Sequence, residues 1–366
     1  MAKIPVGILG ATGMVGQNYI SLLKNHPWFE ITYLAASPRS AGKSYKDATA
    51  GRWHLRRSSD AALDTIIVED ANDISRAAAA AKAGTLTFVF SALEMEKADV
   101  LKLEESYAAA GIPVVSNASA NRWTPDVPML IAEVNPGHTA VIPFQQKARG
   151  WDKGFIAVKP NCSLQSYMTP LWALIQAGYQ IKRMIVTTMQ AVSGAGYPGV
   201  PSLDVIDNVV PYIGGEEEKS EQEPLKILGR LEDGIIQSAD EPCISAHCNR
   251  VPVIDGHTAT ISMEFGEKKP SIEQITTIWR QFRAVPQELG LPFAPEQPII
   301  VREEANRPQP GKDRDACKAM AVSVGRVRPC PVFDIRFVGL SHNTVRGAAG
   351  GGILNAELLK AQGFLR

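Results

Sequence analysis

The chain lacks any regular cysteine spacing. It has five cysteines, an odd number, at Cys162, Cys243, Cys248, Cys317 and Cys330. This argues against a disulfide framework and for a reducing compartment, taken here as the cytoplasm. Cys243 and Cys248 flank His247, but their spacing suits zinc poorly, so no metal is expected. An excess of charge of one sign is also missing: 38 basic residues face 38 acidic ones. A nucleic-acid footprint needs a basic excess, so that class is excluded. No apolar run reaches the roughly 18 residues of a membrane helix. The N-terminal MAKIPVGILG has no basic region ahead of a long apolar segment, so no signal peptide and no membrane partner are expected.

What remains is a chain of 366 residues, long enough for two domains with large cores. Its first segment is an apolar run from Ile4 to Leu9, followed by GATGMVG and a helical pattern to about Lys24. Gly10, Gly13 and Gly16 stand three apart. Such a strand, glycine turn and helix lets backbone approach a pyrophosphate, with the helix N-terminus presenting free N–H groups. The spacing is looser than the strict dinucleotide fingerprint, and a glycine turn that merely packs helix on strand is the alternative. The next strand, Ile31 to Ala36, ends in ASPRSAGK. An NAD site usually has a carboxylate there; Ser37, Arg39, Ser40 and Lys43 offer hydroxyls and cations instead, which favours the 2′-phosphate of NADP. Further strands are expected at Thr65–Glu69, Thr85–Phe90 and Pro113–Ser116, with helical patterns between them, including Lys97–Ala110. This alternation predicts a parallel, doubly wound sheet. Ser91 ends one strand on the side where ligands sit in such sheets. Asn121 and Arg122, in the polar segment SNASANR, are placed to meet an oxyanion, or belong to an ordinary loop.

In the second half, KPNCS places Cys162 where a helical pattern to Gly178 begins, interrupted by Pro170. A helix N-terminus would stabilise a thiolate there; an inert buried thiol is the alternative. A strand from Ile185 to Ala191 carries Gln190 and runs into a glycine loop. Next, CISAHCNRVPVIDGHTATISMEF reads as two strands joined at Asp255-Gly256, a strong turn dipeptide. Arg250 lies on the first of them. His257 opens the second, on one face with Ala259 and Ile261. It is either a core histidine or the group that moves protons for Cys162. In GGEEEK, Glu216 and Lys219 share a helix face, where one could engage an ammonium and the other an anion; on composition a solvated helix start is the simpler reading. Residues 286–316, rich in proline, read as an extended surface loop, and a C-terminal helix is expected from about Ala348.

Taken in order, GILGATGMVG, SNASANR, KPNCS, TTMQAVSGAGYPG, GGEEEK, NRVPVIDGH and SHNTVRGAAGG resemble the aspartate-β-semialdehyde dehydrogenase family over nearly the whole chain, closer to its fungal and archaeal branch. The resemblance implies an α/β protein like glyceraldehyde-3-phosphate dehydrogenase: a Rossmann-type NADP-binding domain at 1–160 and an α+β catalytic and dimerisation domain at 161–343. The C-terminal helix, 344–366, would return to the first domain. The implied activity is the reversible, NADPH-dependent conversion of L-4-aspartyl phosphate to L-aspartate 4-semialdehyde and phosphate, in biosynthesis of threonine, methionine and isoleucine, by a homodimer or homotetramer. By the same resemblance Cys162 matches the nucleophile, His257 the acid/base and Gln190 the residue orienting the thioacyl intermediate. Arg250 and Glu216 match the groups that bind the substrate carboxylate and amine; Glu217 or Glu218 would be the alternative to Glu216. Arg122, Asn121 and Lys219 match the phosphate site. Gly10, Thr12, Gly13, Met14 and Val15 match the pyrophosphate loop. Ser37, Arg39 and Ser40 match the 2′-phosphate site, and Gly194 and Asn343 match positions near the nicotinamide. Competing expectations are another acyl reductase on this scaffold, acting on malonyl-CoA or N-acetyl-glutamyl phosphate, and an NADP-binding redox sensor.

Overall fold

The computed structural model describes residues 2–55 and 59–366. Its first sheet is wholly parallel, with strands β1 (Ile4–Leu9), β2 (Phe29–Ala36), β3 (Val68–Asp70), β4 (Phe88–Ser91), β5 (Val114–Ser116) and β6 (Ile156–Val158) in the order β3-β2-β1-β4-β5-β6. This is the order of a dinucleotide-binding sheet, with a crevice where the winding reverses between β1 and β4. β4, β5 and β6 are buried along their whole length, as expected of strands covered on both faces. The strand expected at Thr65–Glu69 shrinks to Val68–Asp70. The one expected at Thr85–Phe90 starts at Phe88: Thr85 N turns back to Ala80 O, and Thr87 N makes the first bond to β1, at Pro5 O.

The second sheet is mixed. It comprises β7 (Ile181–Gln190), β10 (Cys243–Arg250), β11 (His257–Phe265), β12 (Ile299–Arg302), β13 (Val322–Pro329) and β14 (Ile335–Ser341), ordered β10-β7-β11-β14-β13-β12. A small ribbon, β8 (Arg230–Glu232) with β9 (Ile235–Gln237), stands apart. The Asp255-Gly256 connection is not a hairpin. β10 runs parallel to β7 and β11 antiparallel to it on the other side, so residues 251–256 cross the end of β7. Val251 N donates to Gln190 O at 3.0 Å and prolongs the parallel pairing past Arg250. The crossing lays Arg250, Gln190 and His257 side by side at one edge of the sheet.

Residues 286–316 are not a bare surface loop. They include β12, which pairs with β13, and a buried Asp313 that takes ion pairs from Arg302 and Arg307. Proline-rich flanks hide this short strand in the sequence. The C-terminal helix runs Gly350–Ala361 after a wide turn at Val345–Ala349. It buries Ile353, Ala356 and Leu359 in one core with Val6, Ile8 and Tyr19 of the first sheet and its first helix. A Cβ on Gly352 would lie 2.0 Å from the Tyr19 hydroxyl, so glycine is required for this close approach. Among the described residues, no helix is long and apolar enough to cross a membrane.

Candidate active site

β5 and β6 end side by side, where Lys159 N donates to Ser116 O at 2.8 Å. Three residues on, Cys162 opens a single 3-10 turn, Ser163–Ser166; the α-helix proper starts only at Met168. The expected helix N-terminus at Cys162 is therefore displaced. Pro170 sits in the first turn of that helix, where its missing N–H loses nothing, so it does not interrupt the helix. The short turn is organised by Asn161. Its Oδ1 accepts from Ser163 N at 2.8 Å and Ser163 Oγ at 2.7 Å. Its Nδ2 donates to Glu216 Oε1 at 2.8 Å, and its backbone N donates to Glu223 Oε2 at 2.6 Å.

The half-buried Cys162 Sγ lies 3.3 Å from His257 Nε2. The sulfur does not gain the low pKa expected from a helix dipole. Burial, and then the Glu216 carboxylate, push the thiol up to about 11, against the pull of Lys159, Arg122 and Arg250. On the far side of the ring, Ala191 N donates to His257 Nδ1 at 3.0 Å. The ring proton therefore sits on Nε2, facing the sulfur. Burial, reinforced by Arg250, holds the imidazole unprotonated down to about 3. As held, His257 presents a neutral Nε2–H to the sulfur.

Gln190 and Glu216 form the floor beside this pair. Gln190 Nε2 donates to Glu216 Oε2 at 3.0 Å, and Lys219 Nζ donates to Glu216 Oε1 at 2.9 Å. Glu216 opens the helix Glu216–Ile227. Its neighbours point elsewhere: Glu217 Oε1 accepts from Cys248 N at 3.1 Å, and Glu218 is exposed. Arg250 is buried and donates to Ala191 O at 2.8 Å. Gly194 closes over it; a Cβ there would lie 2.7 Å from Arg250 Nη1 and 3.0 Å from His257 Cε1. Arg122 is buried, donating to Glu223 Oε1 at 2.9 Å and to the Lys159 and Asn117 carbonyls.

A cleft of about 380 Å³ joins these groups to the nucleotide sheet. Gly13, Met14, Val15, Ala92–Met95, Asn117–Ala120, Arg122, Asn161, Gly194, Gly196 and Lys219 line it. Its glycine loop is built for a close approach. Gly10 is left-handed at φ +76°, and a Cβ on Gly16 would strike Gly10 O at 2.2 Å, so these two glycines serve the strand–helix contact. Gly13 has no such neighbour, and its face is open to the cleft at the N-terminus of the helix Met14–Leu23. Buried Thr12 gives its carbonyl to Gln17 Nε2 at 3.1 Å. At the end of β2, Ser37 and Arg39 are exposed, and a hydroxyl and a guanidinium there fit a dinucleotide carrying a 2′-phosphate.

Other expected contacts are not brought into the cleft. Ser40 is buried, and its backbone N closes a turn onto Ser37 O, so its hydroxyl is not presented. Ser91 is fully buried beside the Glu104 carboxyl; the residues after it line the cleft instead. Asn121 Nδ2 donates to Glu104 Oε2 at 2.8 Å and so anchors its loop from within. Asn343 is spent at both ends: Nδ2 donates to Ser193 Oγ, and Oδ1 accepts from Gly256 N, each at 2.8 Å. Four residues escaped sequence reasoning: Lys159, Asn161, Glu223 and Gly347. Lys159 and Asn161 flank Cys162 in KPNCS. A Cβ on Gly347 would lie 2.9 Å from Cys162 Cβ, so RGAAGG closes the pocket from the C-terminal side.

Comparison with known proteins gives this geometry a family. The semialdehyde dehydrogenase NAD binding domain matches residues 5–142, and the semialdehyde dehydrogenase dimerisation domain matches residues 171–346. The aspartate-semialdehyde dehydrogenase of Methanothermobacter thermautotrophicus is 48% identical over 97% of this chain and 99% of its own. That of Schizosaccharomyces pombe is 44% identical over the full length of both. A crystal structure of the Candida albicans enzyme with NADP superposes with a TM-score of 0.89 at 40% identity, covering both chains completely. The chain belongs to the aspartate-semialdehyde dehydrogenase family, with relatives in its archaeal and fungal branches.

Proposed function

We infer that the chain is an NADP-dependent aspartate-semialdehyde dehydrogenase working through a thioester on Cys162. The observation that carries this reading is the 3.3 Å approach of Cys162 Sγ to His257 Nε2, directly behind Asn161 and Gly194, which line a cleft shared with the glycine loop. Bound NADP supplies or accepts the hydride. The protein's own part is to form and break a carbon–sulfur bond. In the oxidative direction the Cys162 thiolate attacks the aldehyde carbon, and the carbonyl electron pair moves to oxygen as an alkoxide. His257 Nε2–H lies where it can donate to that oxygen. Loss of hydride turns the alkoxide into a thioester. Phosphate oxygen then attacks the acyl carbon, the carbon–sulfur bond breaks, the thiolate leaves, and the proton of hydrogen phosphate goes to solvent. Biosynthesis runs these steps in reverse, from aspartyl phosphate to semialdehyde.

Arg250 is assigned the substrate carboxylate, because its guanidinium is buried beside His257 without a carboxylate partner among the described residues. Glu216 is assigned the substrate ammonium, with Gln190 orienting the acyl group. Arg122 and Lys219 are assigned phosphate; Asn121 holds their loop. Gly13, Met14 and Val15 receive the pyrophosphate, and Ser37 with Arg39 receives the 2′-phosphate. The domain division at 160/161 and 343/344, a homodimer or homotetramer, and a cytoplasmic location belong to the same proposal. Exposed Leu203, Ile206, Val209 and Tyr212, within the matched dimerisation domain, support the assembly. The testing experiment is NADPH formation from aspartate semialdehyde with and without phosphate. Sustained turnover is expected only with phosphate; equal turnover without it refutes the reading.

A further inference from the structure

The helix Glu216–Ile227 carries four charged side chains, Glu216, Lys219, Glu223 and Lys226, spaced so that they share one face. The first two already have roles. The other two hold Arg122 from both ends. Glu223 Oε1 accepts from Arg122 Nη1 at 2.9 Å, and Lys226 Nζ donates to Arg122 O at 2.6 Å and to Thr124 O at 2.8 Å. Arg122 Nε and Nη2 donate to the Lys159 and Asn117 carbonyls. Among the described residues this leaves one N–H on each terminal nitrogen of a guanidinium that lines the cleft. A guanidinium fixed in this way suits an oxyanion. Glu223 is fully buried, and its second oxygen reaches the other party to the reaction: Oε2 accepts from Asn161 N at 2.6 Å, and the next residue is Cys162. One carboxylate thus ties the arginine assigned to phosphate to the turn that carries the assigned nucleophile. The two segments follow different strands, β5 and β6, so contacts of this kind set their spacing.

We propose that Glu223 is the positioning residue that sets the phosphate-binding Arg122 against Cys162, with Lys226 as the second anchor of the same arginine. The inference rests on the assignment of phosphate to Arg122 above. Acyl transfer requires a phosphate oxygen held about 3–3.5 Å from the acyl carbon, and a misplacement of about 1 Å can slow such a step about 10²-fold. A carboxylate is needed because both of its partners donate. An amide of the same shape offers an oxygen to one partner and sets N–H against N–H at the other. Charge alone predicts the reverse effect: deleting a carboxylate beside the arginine strengthens its attraction for an anion. A weaker phosphate site in Glu223→Gln is therefore the mark of positioning.

The test titrates inorganic phosphate against alkylation of the full chain by iodoacetamide. Adduct is quantified on the Cys162 peptide for wild type, Glu223→Gln and Lys226→Met, and NADP affinity is measured alongside. Phosphate should protect Cys162 in wild type. The half-protecting concentration should rise at least about tenfold in Glu223→Gln and at least about threefold in Lys226→Met, while NADP affinity stays within about threefold of wild type. Unchanged or tighter protection in Glu223→Gln overturns the proposal. So does a matching loss of NADP affinity, or phosphate that fails to protect wild type. Should Glu223→Gln not fold, Lys226→Met decides the matter, and an unchanged half-protecting concentration there overturns the proposal. No turnover enters this readout. The assigned activity fails by turnover without phosphate, and the role of Glu223 fails by the comparison of variants with wild type.

Discussion

His257 accepts a backbone N–H on one nitrogen and offers its own N–H on the other, and this fixes what it can do at neutral pH. A neutral Nε2–H of this kind can stabilise an anion that forms beside it. Removing one such donor typically costs about 10²- to 10³-fold in turnover. His257→Ala should therefore lose about that much in kcat, with KM little changed, in steady-state assays. The ring also ties stability to pH. Its folded pKa of about 3 lies below the usual 6.5, so between these values the unfolded chain binds the extra proton. No stability is lost from this group above about pH 6.5, and stability falls steadily as pH drops through the window. At pH 5 the loss is about 2 kcal/mol. Urea unfolding at pH 7 and pH 5 should show a smaller drop for His257→Gln than for wild type. Cys162 was legible as a possible nucleophile because cysteine before a turn is a local pattern. Asn161 and Glu223 were not: they meet because the segment after β6 and the helix Glu216–Ile227 pack together, which no spacing along the chain records.

Elements differ in how much of them the sequence exposes. β1 was readable because its six residues form a continuous apolar run closed by Gly10. β3 was misplaced and β6 missed, three residues being too few to show a period, although the equally short β5 was found. Asp255-Gly256 was a true turn signal with the wrong partner inferred, since β7 is interposed between β10 and β11. The helix expected at Cys162 failed for another reason: Asn161 uses its side chain to build a tighter turn first. The glycine loop separates folding from binding at single positions. Gly16→Ala places a methyl against Gly10 O and should yield little folded protein, read by circular dichroism and solubility. Gly13→Ala meets Gly10 O only at an ordinary 3.5 Å; its melting temperature should stay near wild type while NADP affinity falls at least about tenfold, the loss of about 1.4 kcal/mol expected from a blocked backbone approach.

Across the whole molecule, the chain crosses between its two sheets and comes back, and the return is held by Arg346. Its guanidinium pairs with both oxygens of Glu133 and also donates to Met320 O and Thr169 Oγ1. One buried side chain thus ties the approach to the C-terminal helix to three other segments. Arg346→Leu leaves the Glu133 carboxylate buried and unpaired, which should cost about 3–5 kcal/mol. Equilibrium urea unfolding should show an earlier midpoint, and a loss below about 1 kcal/mol would contradict this role. This return was foreseen only through family resemblance, because nothing in the periodicity of GAAGGGILNAELLKAQG says which sheet the helix covers.

The most direct test is a single-turnover experiment without phosphate. The chain is mixed with aspartate semialdehyde and excess NADP⁺, NADPH is followed by absorbance, and the quenched protein is mapped by mass spectrometry. A burst approaching one NADPH per chain, with an acyl group on the Cys162 peptide that added phosphate removes, is the predicted result. Absence of a burst in folded, NADP-binding protein, or an acyl group on any residue other than Cys162, would contradict it.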